Sequence, residues 1–230
     1  MKLFDLFLSY IYPRHIATVM SPLNGPIEVE LYMGKYRTTV FGYWQSGSYA
    51  ESIITHLLNH VNLYPRQIHS ILILGLGCGS MASRLHDTFP KAIITGVEID
   101  KHMITIGKKY FRLHAIDRMV VKIEDAVKFI QTSKTNSYDI IVSDLFIGCD
   151  SPIKTRSPVF IRRIKSLLTK QGLYLCNFSE NAKHRSQTDA VVAIMKTLFS
   201  KVESFHNYPK GLPVQKELLF GRCRRNFYTC

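Results

Sequence analysis

Acidic residues are scarce in this chain: 17 aspartates and glutamates face 30 lysines and arginines, a formal net charge of +13 over 230 residues. A field of that sign repels cationic ligands at long range and draws anions, nucleic acid or acidic membrane surfaces. The basic residues are dispersed, with short clusters at Lys108-Lys109-Arg112, Arg162-Arg163-Lys165, Lys183-His184-Arg185 and Arg222-Arg224-Arg225. No specific nucleic-acid motif accompanies them, so they read as solvated faces. Cysteine is sparse too. Cys78, Cys149, Cys176, Cys223 and Cys230 are odd in number, widely spaced and without a CxxC pair. That argues against a disulfide framework and against a zinc site. The thiols are expected to be reduced, in a cytoplasmic protein. His56 and His60 stand i, i+4 on one helix but lack a third ligand, so no metal site is expected. No apolar run reaches the roughly 18 residues of a transmembrane segment. The opening "MKLFDLFLSYIYPRH" is apolar but short, contains Asp5 and has no small-residue cleavage site. It reads as a short helix packing on the domain or on a second subunit, with a loose membrane-surface contact as the alternative, and not as a signal peptide.

What is present is a regular alternation. Residues 27–33, "IEVELYM", alternate as a strand, Gly34-Lys35 fits a tight turn, and "YRTTVFG" returns as the second arm of a hairpin. Ile53, Ile54, Leu57, Leu58 and Val61 then mark one face of a helix. From residue 71 strands and helices take turns. Strands are expected at 71–75, 92–97, 119–123, 139–143 and 173–177, with helices at 79–88, 100–111 and 125–132. Ser157-Pro158 is a cap followed by a first-turn proline, and Phe160, Ile164, Leu167 and Leu168 continue as one helical face. Val191, Ile194, Met195 and Leu198 mark a last helix, before strands near 201–206 and 217–221. This order predicts an α/β fold with a doubly wound, mostly parallel sheet. Ligands of such sheets bind beyond the carboxyl ends of the strands.

At the first of those ends stands "ILILGLGCGS". Gly75, Gly77 and Gly79 permit positive φ and close approach of a ligand to bare backbone. The following helix offers free N–H groups. The third glycine falls four positions after the first, where the dinucleotide fingerprint needs five, so the spacing disfavours a dinucleotide. Glu98 closes the second strand, 19 residues after Gly79. An acid there accepts from ribose hydroxyls. Asp125, in "IEDAVKFI", follows the third strand, and Asp144, in "YDIIVSDLF", closes the fourth. Taken singly, Asp125 and Asp100 also suit helix caps. Acids at three successive strand ends point to one shared site.

These segments, "ILILGLGCGS…ITGVEID…IEDAVKFI…YDIIVSDLF", resemble the catalytic domain of the spermidine synthase-like family. The hairpin "GPIEVELYMGKYRTTVFGYWQSGSYAESIITHLL" and the strand "QKELLFGRC" extend the likeness over roughly residues 25–222. The resemblance implies a Rossmann-like sheet of the class I methyltransferase type with an N-terminal β-hairpin. Residues 1–48 would form the helix and hairpin region, and residues 49–230 the adenosyl-ligand-binding domain. It implies S-adenosylmethionine or its decarboxylated form as cofactor. Gln45, Gly75, Gly77, Cys78, Gly79, Glu98, Ile99, Asp125 and Ala126 would contact it. Glu98 would meet the ribose, and Asp125 with Ala126 the adenine. Asp144 would take the proton of an attacking amine, which must be neutral to react. A homodimer is expected.

The chain departs from the family on the polyamine side. Cys78 stands where an acid usually holds the cofactor's amino group, Ile147 replaces a second aspartate, and Ile54-Thr55 replaces a tyrosine-histidine pair. Losing such polar contacts, each worth on the order of 1–3 kcal/mol, removes most polyamine affinity. Methyl transfer to an unknown acceptor is therefore placed ahead of aminopropyl transfer to an amine. A non-catalytic dimeric relative is the alternative from another class, and nucleotide-dependent oxidoreduction ranks third. Tyr43, Trp44 and Tyr49 would wall the mouth of the site. Tyr49, Asp150 and Asn177 are candidate substrate contacts, with Ser179 beside them. Lys154 and Arg156, in the loop after Asp144, are expected either to be solvated or to bind an acidic acceptor.

Overall fold

A computed structural model of the chain describes residues 3–61, 67–148, 150–179, 185–205 and 216–222. Cys149, Cys223, Cys230, Lys183, His184, Arg224 and Arg225 lie outside the described residues, as do the side chains of His60, Ser179 and Arg185.

Two sheets make the framework. The first is antiparallel, with the order β1 (Arg14–Ser21), β2 (Gly25–Tyr32), β3 (Lys35–Val40) and β4 (Tyr43–Ser46). The expected hairpin is β2–β3, but it has a strand on each side. The outer strands lie beyond the sequence pattern for a physical reason. β1 carries a register shift between His15 and Ala17, and β4 is only four residues long, so neither shows a clean alternation. A short helix, α1 (Leu3–Leu8), precedes them. Ser9 ties it to the β2–β3 turn: its carbonyl accepts from Met33 N–H at 2.9 Å and its Oγ from Gly34 N–H at 3.1 Å.

The second sheet has seven strands. β5 (Ser70–Leu74) is followed by β6 (Ile93–Glu98) and β7 (Met119–Ile123) on one side, then by β8 (Tyr138–Ser143) and β9 (Leu168–Ser179) on the other. These five are parallel. β10 (Lys201–Phe205) and β11 (Lys216–Arg222) complete the order 10-11-9-8-5-6-7, with β11 antiparallel to both neighbours. The central strands β5 and β8 are mostly apolar and buried because helices cover both faces. Ile71, Ile73, Ile140, Val142, Leu173 and Leu175 face α2 (Ser48–Val61) and α3 (Ser80–Thr88). Leu72, Leu74, Ile141, Tyr174 and Cys176 face α5 (Ala126–Thr132), α6 (Pro158–Leu167) and α7 (Arg185–Leu198). The chain winds one way from β5 and returns to the other side at β8, so a crevice opens beyond the carboxyl ends of β5 and β8. No described helix is long and apolar enough to cross a membrane.

The sheets meet at α4 (Lys101–Tyr110). Ile27, Val29 and Val40 pack with Cys78, Met103 and Ile106. Asp100 caps α4, accepting from His102 N–H at 2.9 Å, and it is 2% exposed. It also accepts from Ser21 Oγ at 2.5 Å and from Asn24 Nδ2 at 2.8 Å. Asp100→Ala is expected to lower the unfolding free energy by about 3 kcal/mol, through a lost cap and stranded buried donors. Urea denaturation measures this. Burial alone would raise the Asp100 carboxyl, but the Ser21, Asn24 and His102 hydrogen bonds hold it below its ordinary value. Its stabilisation is therefore complete above the ordinary carboxylate range and is lost as pH falls through the depressed value.

The basic clusters differ in their surroundings. Lys108, Lys109 and Arg112 are exposed. Arg163 instead donates to the carbonyls of Ile130 and Gln131, at 2.7 and 3.1 Å, and so closes the end of α5.

Candidate active site

The crevice beyond β5 is shaped by its glycines. Gly75 has φ 85°, and its N–H donates to Val97 O at 2.9 Å. Any side chain there would run into the carbonyl of Asp144. The turns after β5 and β8 meet only because this residue has none. Gly79, at φ 93°, opens α3, and a Cβ on it would lie 2.6 Å from Leu113 Cδ1. Two serines latch the turn to its surroundings. Cys78 N–H donates to Ser46 Oγ at 3.1 Å, and Ser80 Oγ accepts from Gly47 N–H at 2.8 Å.

Glu98 sits beside this turn. Oε2 accepts from Gly77 N–H at 2.8 Å and Oε1 from Asp100 N–H at 2.9 Å. Burial pushes its carboxyl up, against the pull of those donors. A carboxylate has about four lone-pair positions, so both oxygens keep capacity for further donors. Asp125 caps α5 by accepting from Lys128 N–H at 3.0 Å. Its capping role and its place in the site coincide, because the helix starts at the cavity wall.

The cavity has a volume of about 370 Å³, within the roughly 300–1,000 Å³ of small-molecule sites. Gln45, Tyr49, Gly75, Gly77, Glu98, Ile99, Asp125, Ala126 and Asp144 all line it. So do Trp44, Ile147 and Lys154. Trp44 and Tyr49 meet edge to face at 5.6 Å. Burial raises the Tyr49 hydroxyl, and the nearby Asp144 adds to that. Asp144 Oδ1 accepts from Asn177 Nδ2 at 2.7 Å.

Other candidates fall elsewhere. The Cys78 side chain is fully buried between the two sheets, with its sulfur 3.8 Å from Thr38 Oγ1 and from Met103 Sδ. Burial pushes the thiol up to about 12, so it stays protonated at neutral pH. Asp150 does not line the cavity. Its Oδ1 accepts from Ser151 N–H at 3.0 Å in the turn closed by the Ile147–Asp150 bridge. Arg156 is buried, lies 5.2 Å over the Phe178 ring and donates to Ser151 O, so it faces no incoming acceptor. Ile54 is core, and Thr55 Oγ1 accepts from Arg84 Nε at 2.9 Å. Tyr43 is absent from the cavity wall. Among the described residues, no group of three or more His, Cys, Asp or Glu gathers as a metal would need.

Sequence reasoning misses Asn24. This residue of the β1–β2 turn lines the cavity, and its Oδ1 accepts from Gly148 N–H at 3.2 Å. Gln45 Nε2 donates to the carbonyl of the same Gly148 at 2.9 Å. The loop after β8 is thus held by two amides from the N-terminal sheet. An asparagine before a glycine reads as a turn, and nothing local marks it as part of a site.

Known proteins resemble this chain in sequence and in fold. The chain is 32% identical over 141 residues to the eEF1A lysine and N-terminal methyltransferase of Bos taurus, covering 56% of this chain and 20% of the relative. It thus spans about a fifth of that protein's length. A probable spermidine synthase from Corynebacterium glutamicum superposes with a TM-score of 0.75 at 21% identity, over 90% of this chain and 79% of that one. Human methyltransferase-like protein 13, solved in complex with SAH, superposes with a TM-score of 0.60 at 26% identity, over 80% of this chain and 83% of that one. The family model of the spermine/spermidine synthase domain matches residues 49–210. With most of its length under that match, the chain belongs to the spermine/spermidine synthase domain family.

Proposed function

We propose that this protein is a transferase that binds an adenosyl sulfonium and directs methyl transfer to an acceptor amine. One observation carries the reading: residues from the carboxyl ends of four adjacent parallel strands line a single cavity. Gly75 and Gly77 come from the end of β5, Glu98 from β6, Asp125 and Ala126 from the β7–α5 turn, and Asp144 from β8. The cradle suits an adenosyl group. Gly75 and Gly77 keep the wall free of side chains, Glu98 accepts from ribose hydroxyls, and Asp125 accepts from the adenine amino group beside Ala126. Gln45 and Ile99 add contacts at the rim. When bound, such a cofactor supplies an electrophilic carbon next to a sulfonium. Asp144 takes the proton of the acceptor, and Trp44 and Tyr49 wall the approach.

The acceptor side of the cavity supports methyl over aminopropyl transfer. Phe146, Ile147, Ile153 and Lys154 line it, a surface that disfavours a polycation. The second reading, aminopropyl transfer from the decarboxylated cofactor, is favoured by Asp144 itself, an acid facing the cavity. Leu3, Phe4 and Phe7 of α1 are exposed, which supports a homodimer. Cys78 and Cys176 are buried thiols outside any disulfide, which suits the reducing cytoplasm.

Calorimetric titration with S-adenosylmethionine, its decarboxylated form and methylthioadenosine tests the reading. Tightest binding of S-adenosylmethionine is expected. Preference for the decarboxylated ligand would move the assignment to aminopropyl transfer. Silence with all three would sink the adenosyl reading.

A further inference from the structure

Asn177 shares the sheet face that ends in Asp144. Strand side chains alternate, so Asp144 continues the row of Ile140 and Val142, and Asn177 the row of Leu173 and Leu175. Those rows are neighbours, since Val142 pairs with Leu175 and Ser143 with Cys176. One step further, Asn177 Nδ2 donates to Asp144 Oδ1 at 2.7 Å. An amide oxygen that close to an ionised carboxylate would be repelled, so the NH2 group must face Asp144. Asn177 is 4% exposed, and its Oδ1 is buried without a hydrogen-bond partner among the described residues.

That orphan oxygen is informative. A buried carbonyl left unpaired opposes folding, and a leucine, apolar and with the same branched skeleton, would suit the apolar rows around it. The amide is therefore a poor choice for the fold and a suitable one for Asp144. We propose that Asn177 is a positioning residue for Asp144: its NH2 group engages Oδ1, fixes the carboxylate at the cavity wall and favours its ionised form. This assignment rests on the proposed role of Asp144 as proton acceptor. Asn177 is not among the residues that line the cavity, so it acts through the carboxylate.

The test reads the carboxyl group directly, with no need for a known acceptor. Carbon-13 NMR of the intact protein follows the aspartate carboxyls across pH, with Asp144 identified by the resonance missing in Asp144→Asn. Tyr49 from α2, Glu98 from β6, Glu124 and Asp125 from the β7–α5 turn and Lys154 from the loop after β8 share the cavity and stay in place throughout. In Asn177→Leu the Asp144 midpoint is expected to shift upward, because the ionised form loses a donor. The same variant is expected to unfold at a urea concentration no lower than wild type. A merely structural asparagine would produce the reverse, a lower urea midpoint and an unmoved carboxyl. If leucine does not fit, Asn177→Ala is titrated in its place, and an unmoved midpoint overturns the inference. If neither variant folds, the amide is a structural requirement and the inference falls. Titration of wild type with S-adenosylhomocysteine is run alongside. Absence of binding there would count against the proposed function and leave the Asn177 result readable by itself.

Discussion

Glu98→Ala is expected to weaken adenosyl-ligand binding by about 3 kcal/mol, on the order of a hundredfold in Kd. On the proposed reading the carboxylate accepts from two ribose hydroxyls, and hydrogen bonds to a charged group are the strong ones. The substitution also removes the acceptors for Gly77 and Asp100 N–H, now at 2.8 and 2.9 Å, so the glycine turn loses a support. The pH dependence has a definite sign. Burial raises the Glu98 carboxyl, and the protonated form has less capacity to accept. Binding should therefore weaken on acidification at a pH above the ordinary carboxylate range, and Glu98→Ala should lack that limb. Calorimetry across pH measures both. Wild-type affinity in the alanine variant would remove Glu98 from the site.

Asp144→Asn is expected to cut turnover by on the order of a thousandfold while leaving adenosyl-ligand affinity nearly unchanged. The amide keeps the shape of the carboxylate but cannot take a proton from an amine. It also brings its own NH2 group towards that of Asn177, so the 2.7 Å contact survives only if one amide turns. Single-turnover transfer with the cofactor bound, set against calorimetric affinity, separates the two effects. Full turnover in Asp144→Asn would make the proton-acceptor role wrong. A large loss of affinity would instead assign Asp144 to cofactor binding.

The two variants probe features of different legibility. The glycine turn, the acid at the end of β6 and the acid at the end of β8 are readable because each is a short-range statement. A strand ends, a particular residue type follows, and the parallel topology brings every such end to one edge. The helix starts at Asp100, Asp125 and Ser157 are equally local, since a cap satisfies N–H groups two or three residues away. Cys78 shows the limit. Its place in the loop is evident, but its side chain points between the sheets, since Gly77 and Gly79 on either side both have positive φ. Arg156 is similar: within a polar loop it reads as a solvated or acceptor-binding cation, and packing puts it over Phe178.

Sequence by itself determined the alternating α/β order, the glycine turn and the row of strand-end acids, because hydrophobic period, caps and turn chemistry act over a few residues. Tertiary structure alone decided the partners. Asn177 reaches Asp144 across 33 residues, Asn24 reaches Asp100 across 76, and Gly148 reaches Asn24 across 124. Those contacts depend on strand register and on how one sheet packs against the other. A side chain's type constrains what it can bond to, and only the fold brings one particular partner within reach.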